Sequence, residues 1–141
     1  MEQKVAALED QDRAELEERR TWVYGTNASA NDFTSVEAKL DLLAAMLDSG
    51  VIKPNHEWQL KSLGVVFGDA LAQSMDLVWV MVNDEYGYSA ALMVPQTPIL
   101  LFPVTAILKR LEDGEKADVH ELYSGFHERV AALRGWSVKP Q

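Results

Sequence analysis

Three histidines, no cysteine and 22 acidic side chains make up the reactive inventory of this 141-residue chain. His120 and His127 fall seven residues apart in a segment of helical periodicity. Seven residues of helix separate them by roughly 10.5 Å, whereas one zinc ion needs both nitrogens at about 2 Å. The pair cannot share an ion, and His56 stands alone. Without cysteine there is no disulfide, thiolate metal site or cysteine nucleophile. Ser124 follows Tyr123 between the two histidines, but no Gly-x-Ser-x-Gly elbow surrounds it. The spacing Gly64-x-x-x-Gly68 lacks the preceding strand and the Gly-Lys pair of a phosphate loop. Asp84 and Glu85 are adjacent on a turn, which favours Asp on its own account. These patterns assign no catalytic residue, no metal and no cofactor.

Asp69 is the carboxylate with most to explain. It follows Gly68 in a segment apolar on two sides, so partial burial is expected. A buried carboxylate must be paired or hydrogen-bonded, and its acidity can shift. Two readings stay open. One is a structural anchor, bonded to a backbone group or an arginine. The other is a pocket near Asp69, Trp79, Lys109 and Arg110, serving a small-ligand binder or a modest hydrolase.

The elements that must position these residues follow from periodicity. Residues 2–20 favour helix, with a thin apolar stripe of Val5, Leu8 and Leu16. Asp12 stands where the next apolar residue belongs, so this helix is expected to be exposed and loosely docked. Residues 24–31 are small, polar and uncharged and read as a linker. A second helix starts at Thr34, with Glu37 completing a capping box, and stops at Gly50. Val36, Leu40, Leu43 and Leu47 share its inner face; Glu37, Asp41 and Asp48 lie opposite. A third helix runs from near Asn55 to about Ser74, with Leu60, Leu63, Phe67 and Leu71 on its main face. Gly64, Gly68 and Ala72 form a ridge that a neighbour approaches closely. Each glycine costs about 1 kcal/mol of helix propensity, which asks for such a use.

Strands at 77–82, 88–94 and 99–102 follow, the first two joined by a turn ending at Gly87. Pro103 opens a fourth helix that stops at Gly114. Asp118 and Glu121 cap a fifth, which ends at Gly135. The expected fold class is α+β: a three-stranded antiparallel meander packed against helices, in the order ααα-βββ-αα. The expected organisation is an N-terminal helix and linker over 1–31 and one α+β domain over 32–141.

Net charge is −9, and residues 32–101 hold most of it, with nine acids against three bases. Such a surface repels phosphate backbones and anionic lipid, so neither nucleic acid nor membrane is expected as a partner. Residues 86–108 carry no formal charge, but Pro95, Pro98 and Pro103 break any spanning helix. The first residues show no basic-then-apolar leader, and with no cysteine a bacterial cytoplasm is the expected address.

Residues 60–125 resemble a bacterial domain-of-unknown-function family found in small soluble proteins. The resemblance rests on Leu63-Gly-x-x-x-Gly68-Asp69-Ala-Leu71, Trp79, the Asp84-Glu-x-Gly87 turn, Phe102-Pro103 and Ile107-x-Lys109-Arg110. It implies a bacterial origin and an independently folding unit, with the first 30 residues outside it. The family has no established activity, so the resemblance carries no catalytic role.

The function expected from these features is a non-enzymatic interaction protein, such as an immunity or escort protein that binds a basic partner. Glu37, Asp41 and Asp48 would face the partner, with Trp58 and Tyr86 as aromatic anchors. The alternative is the ligand pocket or hydrolase at Asp69 and Trp79. Self-association through the N-terminal helix is a third expectation.

Overall fold

Residues 57–75 are apolar on two sides, and four other helices touch them. The structure is a computed structural model, and it describes residues 3–25, 33–85 and 87–138. Among the described residues the order is β1 (Lys4–Ala7), α1 (Asp10–Gly25), α2 (Val36–Asp48), α3 (Glu57–Met75), β2 (Val78–Asp84), β3 (Gly87–Met93), β4 (Leu100–Leu101), α4 (Ala106–Glu112) and α5 (Val119–Val138). Helix α3 touches α1, α2, α4 and α5. Every residue from Ser62 to Gly68 on it is buried. Leu60, Leu63, Phe67 and Leu71 are fully enclosed and join Leu43, Leu92 and Ile107 in one core.

The sheet has four antiparallel strands in the order β1-β2-β3-β4, which corrects the expected three. The extra strand lies at the start of the chain, where helix was expected. Lys4 pairs with Asn83 and Ala7 with Val80. The helix propensity of four residues is worth little beside a ladder. Strand β2 would otherwise present an unpaired edge, and its backbone groups need partners. Trp79 and Leu92 turn toward the helices, whereas Val80, Val82 and Ala91 form a second small cluster on the opposite face.

The expected loose docking of the first helix is also corrected. Leu16 and Val23 of α1 are buried, and the helix packs along α3. Asp12, the misfit in its stripe, accepts a hydrogen bond from the Glu9 backbone N–H (2.9 Å) and one from the Tyr88 hydroxyl (3.0 Å). The first bond completes half a capping box at the helix start. The second ties α1 to β3.

The cap of α2 is Ser35, one residue beyond Thr34; its hydroxyl accepts from the Ala38 N–H at 3.0 Å. The Thr34 carbonyl instead accepts from Lys39 and Gln73. Helix α4 starts at Ala106, because Pro103–Thr105 form a turn closed by the Ala106 N–H on the Pro103 carbonyl. Asp118 caps α5 through the Glu121 N–H. That helix continues past Gly135 to Val138, since a glycine inside a helix costs only about 1 kcal/mol.

The two ridge glycines are explained by contact. A methyl on Gly64 would run into the backbone carbonyl of Val104. One on Gly68 would sit 2.6 Å from the Trp79 ring and 2.9 Å from Pro103. No described helix is long and apolar enough to cross a membrane.

Candidate functional site

Asp69 sits on α3 beside the gap left by Gly68, and β2 fills that gap with Trp79. The Trp79 indole N–H donates to Asp69 Oδ1 at 2.9 Å. From α1, Arg20 closes a two-pronged pair: Nε to Oδ2 at 2.6 Å and Nη2 to Oδ1 at 2.9 Å. Arg20 also reaches Glu17, one turn earlier, at 3.2 Å. The Asp69 side chain is 16% exposed and that of Arg20 23%. Tyr24 lies near enough to feel this charge. Its phenol is pushed up to about 12, first by burial and then by the Asp69 charge. Lys39 is held below its usual value by burial, a shift that Asp69 partly opposes.

This arrangement is an anchor joining α1, α3 and β2. Its carboxylate accepts hydrogen bonds from two sides, from Arg20 and from Trp79. The structure brings Asp69 and Trp79 together and leaves Lys109 and Arg110 apart from them. Lys109 is exposed near the end of α4, and Arg110 pairs with Glu115 at 3.6 Å. Neither makes a hydrogen bond or ion pair with Asp69 among the described residues.

The acidic residues of α2 are arranged differently. Glu37, Asp41 and Asp48 are all exposed. Their spacing of four and seven places them along one side of the helix. His120 of α5 approaches Asp41, with Nε2 3.1 Å from Oδ1. Glu37, Asp41 and His120 each offer one ligand atom within 4.8 Å of the other two. Two carboxylates and an imidazole are donors a divalent cation accepts, but exposed acidic groups also gather without one. Periodicity alone could not find this set, because it joins two helices 79 residues apart.

Between Asp41 and Asp48, Ala45 lines a groove of about 440 Å³ with Trp22, Met46, Val51 and Ile52. Trp58 lies beside Trp22, edge to face with centroids 5.8 Å apart. It is 38% exposed, and the Arg19 guanidinium lies 5.0 Å above its ring. Tyr86, the other expected anchor, falls outside the described residues.

A second concavity has no counterpart in the sequence reading. A cleft of about 280 Å³ opens between the first half of α1, α3, the β2–β3 hairpin and the segment before α4. Leu16, Val65 and Met81 line it, together with Asp12, Arg19 and Lys61. The Tyr88 phenol at its edge is raised above its usual value, by desolvation first and then by the Asp12 carboxylate. The signal available in sequence was Asp12 itself, a charge inside an apolar stripe.

Comparison with solved structures places the architecture beside a crystal structure from Bacteroides thetaiotaomicron VPI-5482, with a TM-score of 0.78 at 15% identity. The match covers 92% of this chain and 48% of that one, so this chain spans about half the length of that relative. At such identity the likeness concerns the fold alone. No curated protein matches the sequence. The family model described as a domain of unknown function, DUF3806, matches residues 39–123, from within α2 into α5. That match includes Gly68, Asp69 and Trp79, the residues that lock α3 to the sheet, and the chain belongs to this DUF3806 family.

Proposed function

We propose that this chain is a non-enzymatic interaction protein of a bacterial cytoplasm that binds a basic protein partner, in the manner of an immunity or escort protein. One observation carries the reading. Glu37, Asp41 and Asp48 stand exposed along α2, and among the described residues no lysine or arginine pairs with any of them. Charges left open on a surface raise the rate of encounter with an oppositely charged partner and select its orientation. The groove lined by Ala45 and Met46 of the same helix offers apolar area to be buried on contact. Trp58, packed edge to face on Trp22, supplies an aromatic anchor. The Asp69 cluster supports the same reading, because its carboxylate is engaged in holding the fold.

A pull-down at low salt tests this. The full chain is compared with a variant carrying Glu37→Lys, Asp41→Lys and Asp48→Lys. Stoichiometric capture of a basic protein by the first and its loss from the second is the expected result. Equal capture by both would remove α2 from the interface.

A further inference from the structure

We propose that Glu37, Asp41 and His120 bind a divalent transition-metal ion of the zinc class, held between α2 and α5. The inference goes beyond the basic-partner reading and does not rest on it. The kind of donor, their convergence and the support beneath them carry it.

Two carboxylates and an imidazole make a mixed oxygen and nitrogen set, and the imidazole is what separates it from a patch of acid. Carboxylates alone suit calcium and magnesium, whereas an imidazole nitrogen favours zinc, nickel or copper. Among the described residues no lysine or arginine pairs with Glu37 or Asp41. A divalent cation would balance the two carboxylates.

The donors converge from two elements. On α2 the spacing of four puts Glu37 one turn before Asp41 on the same face. From α5, His120 brings its Nε2 to 3.1 Å from Asp41 Oδ1. Two ligand atoms on one tetrahedral zinc, each about 2 Å from the metal, lie about 3.3 Å apart. The His120–Asp41 pair is already close to that separation. Glu37 offers an oxygen within 4.8 Å of both. Reaching the ion therefore asks for a closure of at most about 1.5 Å, by a long exposed side chain free to turn.

The backbone under the donors is fixed by the core. Leu40 and Leu42 flank Asp41 and are buried, as is Val119 beside His120. All three belong to the same hydrophobic cluster, so the fold rather than the metal brings the two helices together. Three protein donors leave the ion a further position for water. Metal and basic partner would oppose each other on this face, since both are drawn to Glu37 and Asp41.

Calorimetric titration of the untagged full chain with zinc chloride tests the proposal, with magnesium and calcium chloride titrated alongside. One zinc per chain is expected at a Kd of about 10 μM or tighter, with magnesium and calcium at least about tenfold weaker. Asp41→Asn and His120→Ala each remove a donor at an exposed position. Each should weaken zinc at least about tenfold, because even changes behind the ligands cost a metal site that much. His127→Gln removes the other histidine of α5 and should leave the zinc affinity unchanged. Zinc should raise the melting temperature of the native chain and not that of His120→Ala, since the donors meet only in the folded state. No binding at about 0.1 mM zinc, tenfold beyond the expected Kd, would overturn the proposal. Equal zinc affinity in His120→Ala, or magnesium bound as tightly as zinc, would also overturn it, because the cluster would then act only as negative charge.

Discussion

At the scale of single residues, Asp69 shows how a partly buried charge is held by partners from two other elements. Arg20 and Trp79 both bond to it, so removing its charge leaves a partly enclosed guanidinium without its partner. Asp69→Asn should cost about 2–3 kcal/mol in urea denaturation, less than a fully buried pair because both side chains retain some water. Arg20→Met combined with Asp69→Leu should recover much of that loss, and an additive double mutant would contradict the pairing. Tyr24 adds a pH dependence of definite sign. Its phenol ionises near 10 in the unfolded chain and at about 12 in the folded one. Between those values the unfolded state has lost a proton that the native state keeps. This contribution to stability is complete below pH 10 and is lost as pH rises to about 12. Tyr24→Phe should flatten the fall over that window, as read by denaturant midpoints; an unchanged slope would sink the assignment. Asp69 and Asp12 were visible in sequence as misfits in apolar segments. Their partners were not, because Arg20 is 49 residues from Asp69 and Tyr88 is 76 from Asp12.

At the scale of elements, glycine spacing spoke more clearly than helix propensity. The ridge on α3 was readable because each glycine has a cost that a close approach explains. Gly64→Ala should destabilise by about 1–3 kcal/mol, since the Val104 backbone cannot yield as a side-chain tip can. Gly125 in α5 has open space around it, so Gly125→Ala should stabilise by about 0.5–1 kcal/mol. Thermal melts of the two variants should therefore move in opposite directions. Strand β1 escaped the sequence reading because Lys4–Ala7 has no strand alternation of its own. Its conformation is set by the edge of β2, some 75 residues away. Tertiary pairing overrides propensity most easily in short segments. The α2 and α5 starts were legible to within a residue, because their caps are local chemistry.

At the scale of the whole molecule, the acidic excess is a surface property, and the fold decides where it is presented. Sequence located the three carboxylates on one side of α2, and the structure adds the apolar groove beside them and His120 across from Asp41. It could not locate the cleft at Asp12, which needs four separate segments to close around it. The central claim is that the α2 face binds a basic partner, and the affinity of the captured protein measured against salt tests it most directly. Moving from low salt to about 0.3 M shortens electrostatic reach below 10 Å, and binding to the native chain should weaken more than about tenfold. A variant with Glu37→Gln, Asp41→Asn and Asp48→Asn should bind weakly at low salt and respond little to added salt. If that variant binds as tightly as the native chain and with the same salt response, the partner sits elsewhere and the account is wrong.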